Sequence, residues 1–231
     1  MDTESSDRIQ IPIPTLSYDL SVGQDPKSLW IMLPGIDQEV GVFQKHGIVE
    51  KLRRAHVAAD VVAVGAGFNY YLERVLTKRL MADIIIPAHE KGYRKIYMVG
   101  ISMGALGALL YARKHSETID GVFAIAPFLG DPQVIAEITD SGGLHCWQPQ
   151  SVPDYEKDFQ PSLWLWLKEY GRSSGEQPPL FLGFGESDDF APACRLLASV
   201  LPKDRVFVTP GSHDWRCWDS ILDAFIEGGA F

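Results

Sequence analysis

Cysteine is scarce in this chain: Cys146, Cys194 and Cys217 are the only three among 231 residues. An odd number cannot all pair within one chain, and the spacing is not that of a metal site, so free thiols are expected rather than a disulfide framework or a zinc module. A basic run is missing as well. The 21 Lys and Arg face 30 Asp and Glu, for a net charge of −9. That is the wrong balance for a nucleic-acid partner, which calls for clustered cations, and it mildly disfavours strongly anionic substrates. No apolar run approaches the length of a membrane span. The opening residues Met1 to Asp7 are acidic and polar, without the charged start and apolar stretch of a secretory signal. These absences lead to the expectation of a soluble, cytoplasmic protein.

What is present is a series of short apolar runs, each stopped by glycine or proline. They are 29–33 before Pro34-Gly35, 60–64 before Gly65, 96–99 before Gly100, 121–126 before Pro127, 180–184 before Gly185, and 205–209 before Pro210-Gly211. Continuous apolarity, rather than alternation, marks strands buried on both faces of a parallel sheet. Helical spacing falls between them: Leu72, Val75, Leu76, Leu80 and Ile84; Leu106, Leu109 and Leu110; Trp215, Trp218, Leu222 and Phe225. Alternation of this kind predicts an α/β fold, a mostly parallel central sheet with helices on both faces, in one domain over 1–231. Ligands bind such sheets at the carboxyl ends of the strands.

Residues 131–179 break the alternation. They offer no convincing strand but are rich in Pro, Gly, Trp and acidic residues. A helix opening near Pro161 and closing at Gly171 would place Leu163, Trp166, Leu167 and Tyr170 on one face, with Trp164 beside them. The segment reads as a lid or cap over the strand ends, with Trp147, Trp164 and Trp166 as candidate substrate-binding side chains. The alternative is a surface excursion that these tryptophans anchor to the core.

Gly100-Ile101-Ser102-Met103-Gly104 fits G-x-S-x-G, and it sits between the strand at 96–99 and a helix over 103–115, the setting the motif requires. So sharp a turn strains the serine backbone and leaves no room for side chains two residues away on either side. A serine hydroxyl is a poor nucleophile until a base takes its proton. Of the six histidines, His213 alone follows the last predicted strand and precedes the final amphipathic helix, which puts it at the same sheet end as Ser102. The carboxylate that orients the imidazole belongs after the preceding strand, in Gly185-Glu186-Ser187-Asp188-Asp189. Asp188 is the first candidate and Asp189 the alternative. Glu186 is weaker, and Asp214 reads more simply as a helix-capping residue. For the oxyanion, Met103 supplies one backbone amide and the loop Pro34-Gly35-Ile36-Asp37 the other, with Ile36 preferred.

Three stretches resemble known proteins: Ile85-Ile86-Pro87 with Tyr93, the Gly100–Gly104 segment, and Gly211-Ser212-His213-Asp214-Trp215 with Trp218. They are similar to segments of the α/β-hydrolase superfamily, in particular the esterase branch that includes feruloyl esterases, enterochelin esterases and mycolyltransferases. The resemblance implies a serine nucleophile on Ser102, His213 as base, no metal, no cofactor and a small-molecule acyl ester as substrate. The sequence departs from many members of that branch at Ala105, where a second glycine is common, and at Pro34-Gly35, where His-Gly is common. The expected activity is that of a serine carboxylesterase. A thioesterase, acyltransferase or peptidase would use the same triad, and a non-catalytic binding protein on a hydrolase scaffold is the reading from another class.

Overall fold

A computed structural model describes residues 9–20, 28–154, 157–170 and 177–228. Seven strands form one sheet: β1 (Thr15–Tyr18), β2 (Ser28–Leu33), β3 (Ala59–Val64), β4 (Lys95–Ile101), β5 (Gly121–Ile125), β6 (Leu180–Gly185) and β7 (Val206–Thr209). Their spatial order is β1-β3-β2-β4-β5-β6-β7, parallel throughout except for β1, which runs antiparallel to β3 with Thr15 opposite Val64. The six parallel strands coincide with the six apolar runs.

The helices are α1 (Val42–Lys45), α2 (Ile48–Arg54), α3 (Phe68–Leu72), α4 (Leu76–Leu80), α5 (Ile86–Glu90), α6 (Met103–His115), α7 (Pro132–Asp140), α8 (Phe159–Tyr170), α9 (Ala191–Ala198) and α10 (Trp215–Glu227). Side-chain alternation along each strand divides every apolar run between two cores. Leu29, Ile31 and Leu33 of β2 pack with α4, α5, α6, α8 and α9 on one face. Trp30 and Met32 pack with α1, α2 and α10 on the other. No helix among the described residues is long and apolar enough to cross a membrane.

The periodic stretch 72–84 is not one helix. Arg74 takes a left-handed backbone (φ 55°) that ends α3, and this leaves Leu72 57% exposed instead of on the apolar face. A π-helical segment, Met81–Ile85, then leads into α5. It falls just before Pro87, which has no N–H for the ordinary helical bond.

The excursion 131–179 carries α7 and α8 among its described residues. The latter begins at Phe159, two residues before Pro161, because the first helical turn needs no intrahelical N–H partner. The expected stop, Gly171, lies outside the described residues. Leu163, Trp164, Leu167 and Tyr170 are buried and Trp166 only half so, which exchanges the two tryptophans relative to the expected stripe. Arg113 of α6 donates to Ser162 Oγ (2.6 Å), tying this helix to the one that follows β4.

Candidate active site

The loop after β4 turns in a single residue. Ser102 adopts φ 55° and ψ −116°, a conformation that disfavours any residue with a Cβ. It persists because the surroundings hold it: Ser102 N donates to Ile125 O (2.9 Å), while its carbonyl accepts from Phe128 N (3.2 Å) and from Ala105 N (3.1 Å). The neighbouring glycines are steric requirements. A Cβ on Gly100 would collide with Gly104 O and the Ala105 backbone, and one on Gly104 with the Leu33 and Pro34 backbones. That second clash shows how closely the start of α6 is pressed against the end of β2.

Hydrogen bonds continue past β6 and β7 into the loops beyond them. Glu186 N donates to Thr209 O and Ser187 N to Gly211 O, both at 2.9 Å. The two loops therefore travel together and deliver Asp188 and His213 to one place. His213 Nδ1 lies 2.8 Å from Asp188 Oδ2 and 3.0 Å from Oδ1, and His213 Nε2 lies 3.0 Å from Ser102 Oγ. The Asp188 side chain has no exposed surface, whereas that of His213 is 25% exposed. A carboxylate only accepts, so it fixes the proton on Nδ1 and leaves Nε2 as an acceptor for the serine hydroxyl. Oδ1 of Asp188 also accepts from Phe190 N (2.8 Å).

The other acidic candidates lie elsewhere. Asp189 and Glu186 are exposed. Asp214 caps α10, accepting from Cys217 N (3.0 Å) and Ser212 Oγ (2.8 Å). Those bonds, the Cys217 amide first, hold its carboxyl below the ordinary carboxylate range.

Met103 is the first residue of α6, so its amide has no intrahelical partner. The loop after β2 runs beside the nucleophile, where a Cβ built on Gly35 would sit 3.6 Å from Ser102 Cβ. Gly35 N donates to Gln38 Oε1 (3.0 Å), and Ile36, 44% exposed, is the next amide along. Gln38 lies one residue past the loop segment singled out from the sequence, and nothing in that segment signals the contact.

The tryptophans expected at the opening require correction. Trp147 and Trp164 are 1% and 0% exposed, with their indole N–H groups bonded to Glu137 Oε1 and Leu129 O (both 2.8 Å). They have almost no surface with which to meet a substrate. Each buries a large apolar body and satisfies its one polar atom, which anchors the excursion. Trp166 packs edge-on against Tyr170 (5.2 Å). The rings that do surround the imidazole are Phe190 (4.8 Å) and Trp218 (5.0 Å). Phe190 carries no signal of this place in the sequence, because an apolar residue after a strand looks like any core residue. Among the described residues no cluster of three or more His, Cys, Asp or Glu could hold a metal ion.

No protein-family model matches the sequence, and no curated protein sequence matches it. Many solved structures do match in fold. A ferulic acid esterase aligns with a TM-score of 0.59 at 17% identity, over 86% of this chain and 82% of its own. FphF, a fluorophosphonate-binding serine hydrolase of Staphylococcus aureus, aligns at 0.60 and 14%, over 94% and 98%. A monoacylglycerol lipase of Paleococcus ferrophilus aligns at 0.57 and 18%, over 93% and 97%. With this sheet order, the sharp turn after β4 and these structural relatives, the chain has the α/β-hydrolase fold.

Proposed function

We propose that this protein is a serine carboxylesterase that acts through an acyl-enzyme on Ser102. The observation that carries the reading is the continuous hydrogen-bonded line from Asp188 through His213 to Ser102 at the carboxyl ends of the strands. In the first step Ser102 Oγ attacks the acyl carbon while its proton passes to His213 Nε2. The resulting imidazolium is held by the carboxylate of Asp188. The electron pair displaced onto the acyl oxygen is met by the Met103 amide and, from the loop after β2, the Ile36 amide. His213 then gives its proton to the departing alkoxide. Water, deprotonated by His213, later releases the acid and restores Ser102.

Phe128, Phe190 and Met103 are half-buried and Ile36 is exposed around these polar groups. That suits a small or medium apolar acyl ester. Hydrolysis of short p-nitrophenyl esters tests the reading. Ser102→Ala is expected to lose about 10⁶-fold in kcat, the scale seen when a serine hydrolase loses its nucleophile. Covalent labelling by a fluorophosphonate should disappear in the same variant. Wild-type turnover by Ser102→Ala overturns the proposal.

A further inference from the structure

Hydrogen bonds align the imidazole with its two partners, but they do not by themselves prevent the ring from turning about its Cβ–Cγ bond. His213 is a quarter exposed at the side chain, so water can compete for those bonds and the packing around the ring bears on how firmly it is held. Two aromatic rings stand nearly perpendicular to it: Phe190, with centroids 4.8 Å apart at 71°, and Trp218, 5.0 Å apart at 85°. Edge-to-face pairs at such distances are attractive beyond the area they bury. Trp218 belongs to the start of α10 and is 6% exposed, a fixed wall.

Phe190 does more than fill space. Its backbone amide donates to Asp188 Oδ1 (2.8 Å), a side-chain turn that aims the carboxylate. Its ring packs edge-on against Phe128 (5.5 Å, 66°), and the Phe128 amide donates to Ser102 O (3.2 Å). A closed circuit results. It runs from Ser102 Oγ to His213, on to Asp188, to the Phe190 amide, across the Phe190–Phe128 ring pair, and back to the Ser102 carbonyl. We propose that Phe190 is a positioning residue: its ring holds His213 at the angle at which Nδ1 faces Asp188 and Nε2 faces Ser102, and Phe128 braces that ring against the nucleophile turn. No bond is made or broken by Phe190 itself.

The inference rests on the serine-hydrolase reading, and its test separates the two. Phe190→Leu removes the ring but keeps the amide bond to Asp188. Turnover of a short p-nitrophenyl ester should fall through kcat, by about 10- to 100-fold, the scale of a misplaced catalytic group, with KM within about twofold. The rate of fluorophosphonate labelling should fall in parallel. The downfield proton resonance of a histidine Nδ1–H held by a carboxylate should broaden or vanish. Phe190→Tyr, which keeps the ring, should restore most of the rate. Phe128→Leu, which leaves Phe190 unbraced, should show a smaller loss of the same kind.

An unchanged kcat in Phe190→Leu, with wild type active and Ser102→Ala inactive, sinks the positioning role and leaves the esterase reading standing. A rise in KM at constant kcat would make Phe190 a substrate wall and equally overturn the proposal. Should Phe190→Leu fail to fold, the decision falls to Phe190→Tyr and Phe128→Leu: a normal kcat in Phe128→Leu together with a collapsed one in Phe190→Tyr contradicts it. An active Ser102→Ala would instead remove the reading beneath it.

Discussion

Two aspartates in this protein, Asp60 and Asp188, are equally buried, each 4% exposed as a whole residue, at opposite ends of the sheet. Asp60 lies at the amino end of β3 and accepts from Leu20 N (2.8 Å) and Tyr93 OH (2.7 Å). Asp188 lies beyond the carboxyl end of β6 and accepts from Phe190 N and His213 Nδ1. The difference is in the partner. Burial, and then the Asp60 carboxylate, push the Tyr93 phenol well up, so it remains a neutral donor that joins two segments of chain. The partner of Asp188 is an imidazole with a second nitrogen aimed at a serine on a strained turn. Burial alone therefore does not mark a site. What marks it is a partner that still has chemistry to perform.

The same substitution made at both positions exposes the contrast. In Asp188→Asn a single oxygen remains, and keeping it on Phe190 N turns the amide NH2 toward His213 Nδ1. Nδ1 then becomes the acceptor, the ring proton moves to Nε2, and the acceptor facing Ser102 is lost. A loss of about 10⁴-fold in kcat is expected, as in a serine protease changed in this way. In Asp60→Asn the carbonyl still accepts from Leu20 N, and the Tyr93 hydroxyl can rotate to accept from the new amide. Stability should fall by about 1 kcal/mol, the scale of one charge-assisted bond made neutral, with kcat unchanged. Steady-state kinetics beside urea unfolding would measure both, and equal kinetic losses at the two sites would erase the distinction.

A weaker contrast concerns glycines. Gly104→Ala thrusts a methyl into the Leu33 and Pro34 backbones, where no flexible side chain can yield. Overpacking of this kind destabilises by about 1–3 kcal/mol, and because the strain falls between α6 and the loop after β2, turnover should fall too. Gly47, with φ 75°, has nothing within 4 Å of a built Cβ. Gly47→Ala should show only the backbone strain of a left-handed alanine, about 1 kcal/mol, with normal kinetics. A thermal melt with an activity assay on each variant distinguishes them, and normal turnover in Gly104→Ala would show that the turn tolerates displacement.

Much of this architecture is legible in the sequence because a strand buried on both faces must be apolar throughout, and six such runs ended in glycine or proline. β1 escaped notice. Thr15-Leu16-Ser17-Tyr18 is short, mixed and at a sheet edge, and only pairing with β3 makes it a strand. At the site, chain order after successive strands pointed to Ser102, Asp188 and His213, and the structure brings those three within hydrogen-bond distance. The sequence prefers Asp188 to Asp189 only narrowly, since adjacent residues in a loop differ mainly in direction; in the structure Asp188 is buried against His213 and Asp189 is exposed. Trp147 and Trp164 are ambiguous in the sequence for a related reason. Their large apolar bodies suit a substrate opening or a core equally well, and which of the two they fill depends on how α7 and α8 pack.

Asp214 provides the smallest test, and it separates two roles for neighbouring residues. Next to His213 in sequence, it could pass for the triad acid, yet its oxygens go to Cys217 N and Ser212 Oγ. Asp214→Ala should lose a cap, about 1 kcal/mol or somewhat less at so exposed a residue, with kcat within a few-fold of wild type. Because the folded state lowers its pKa, the stabilisation is present at neutral pH and is lost as pH falls through that depressed value. The stability gap between wild type and variant should thus close in acid, and Asp214→Asn, which can still cap, should keep most of the neutral-pH stability. Urea midpoints across pH measure the gap. A kinetic collapse in Asp214→Asn as deep as that in Asp188→Asn would contradict the assignment, because an amide serves a helix start nearly as well as a carboxylate but cannot orient a neutral imidazole in the same way.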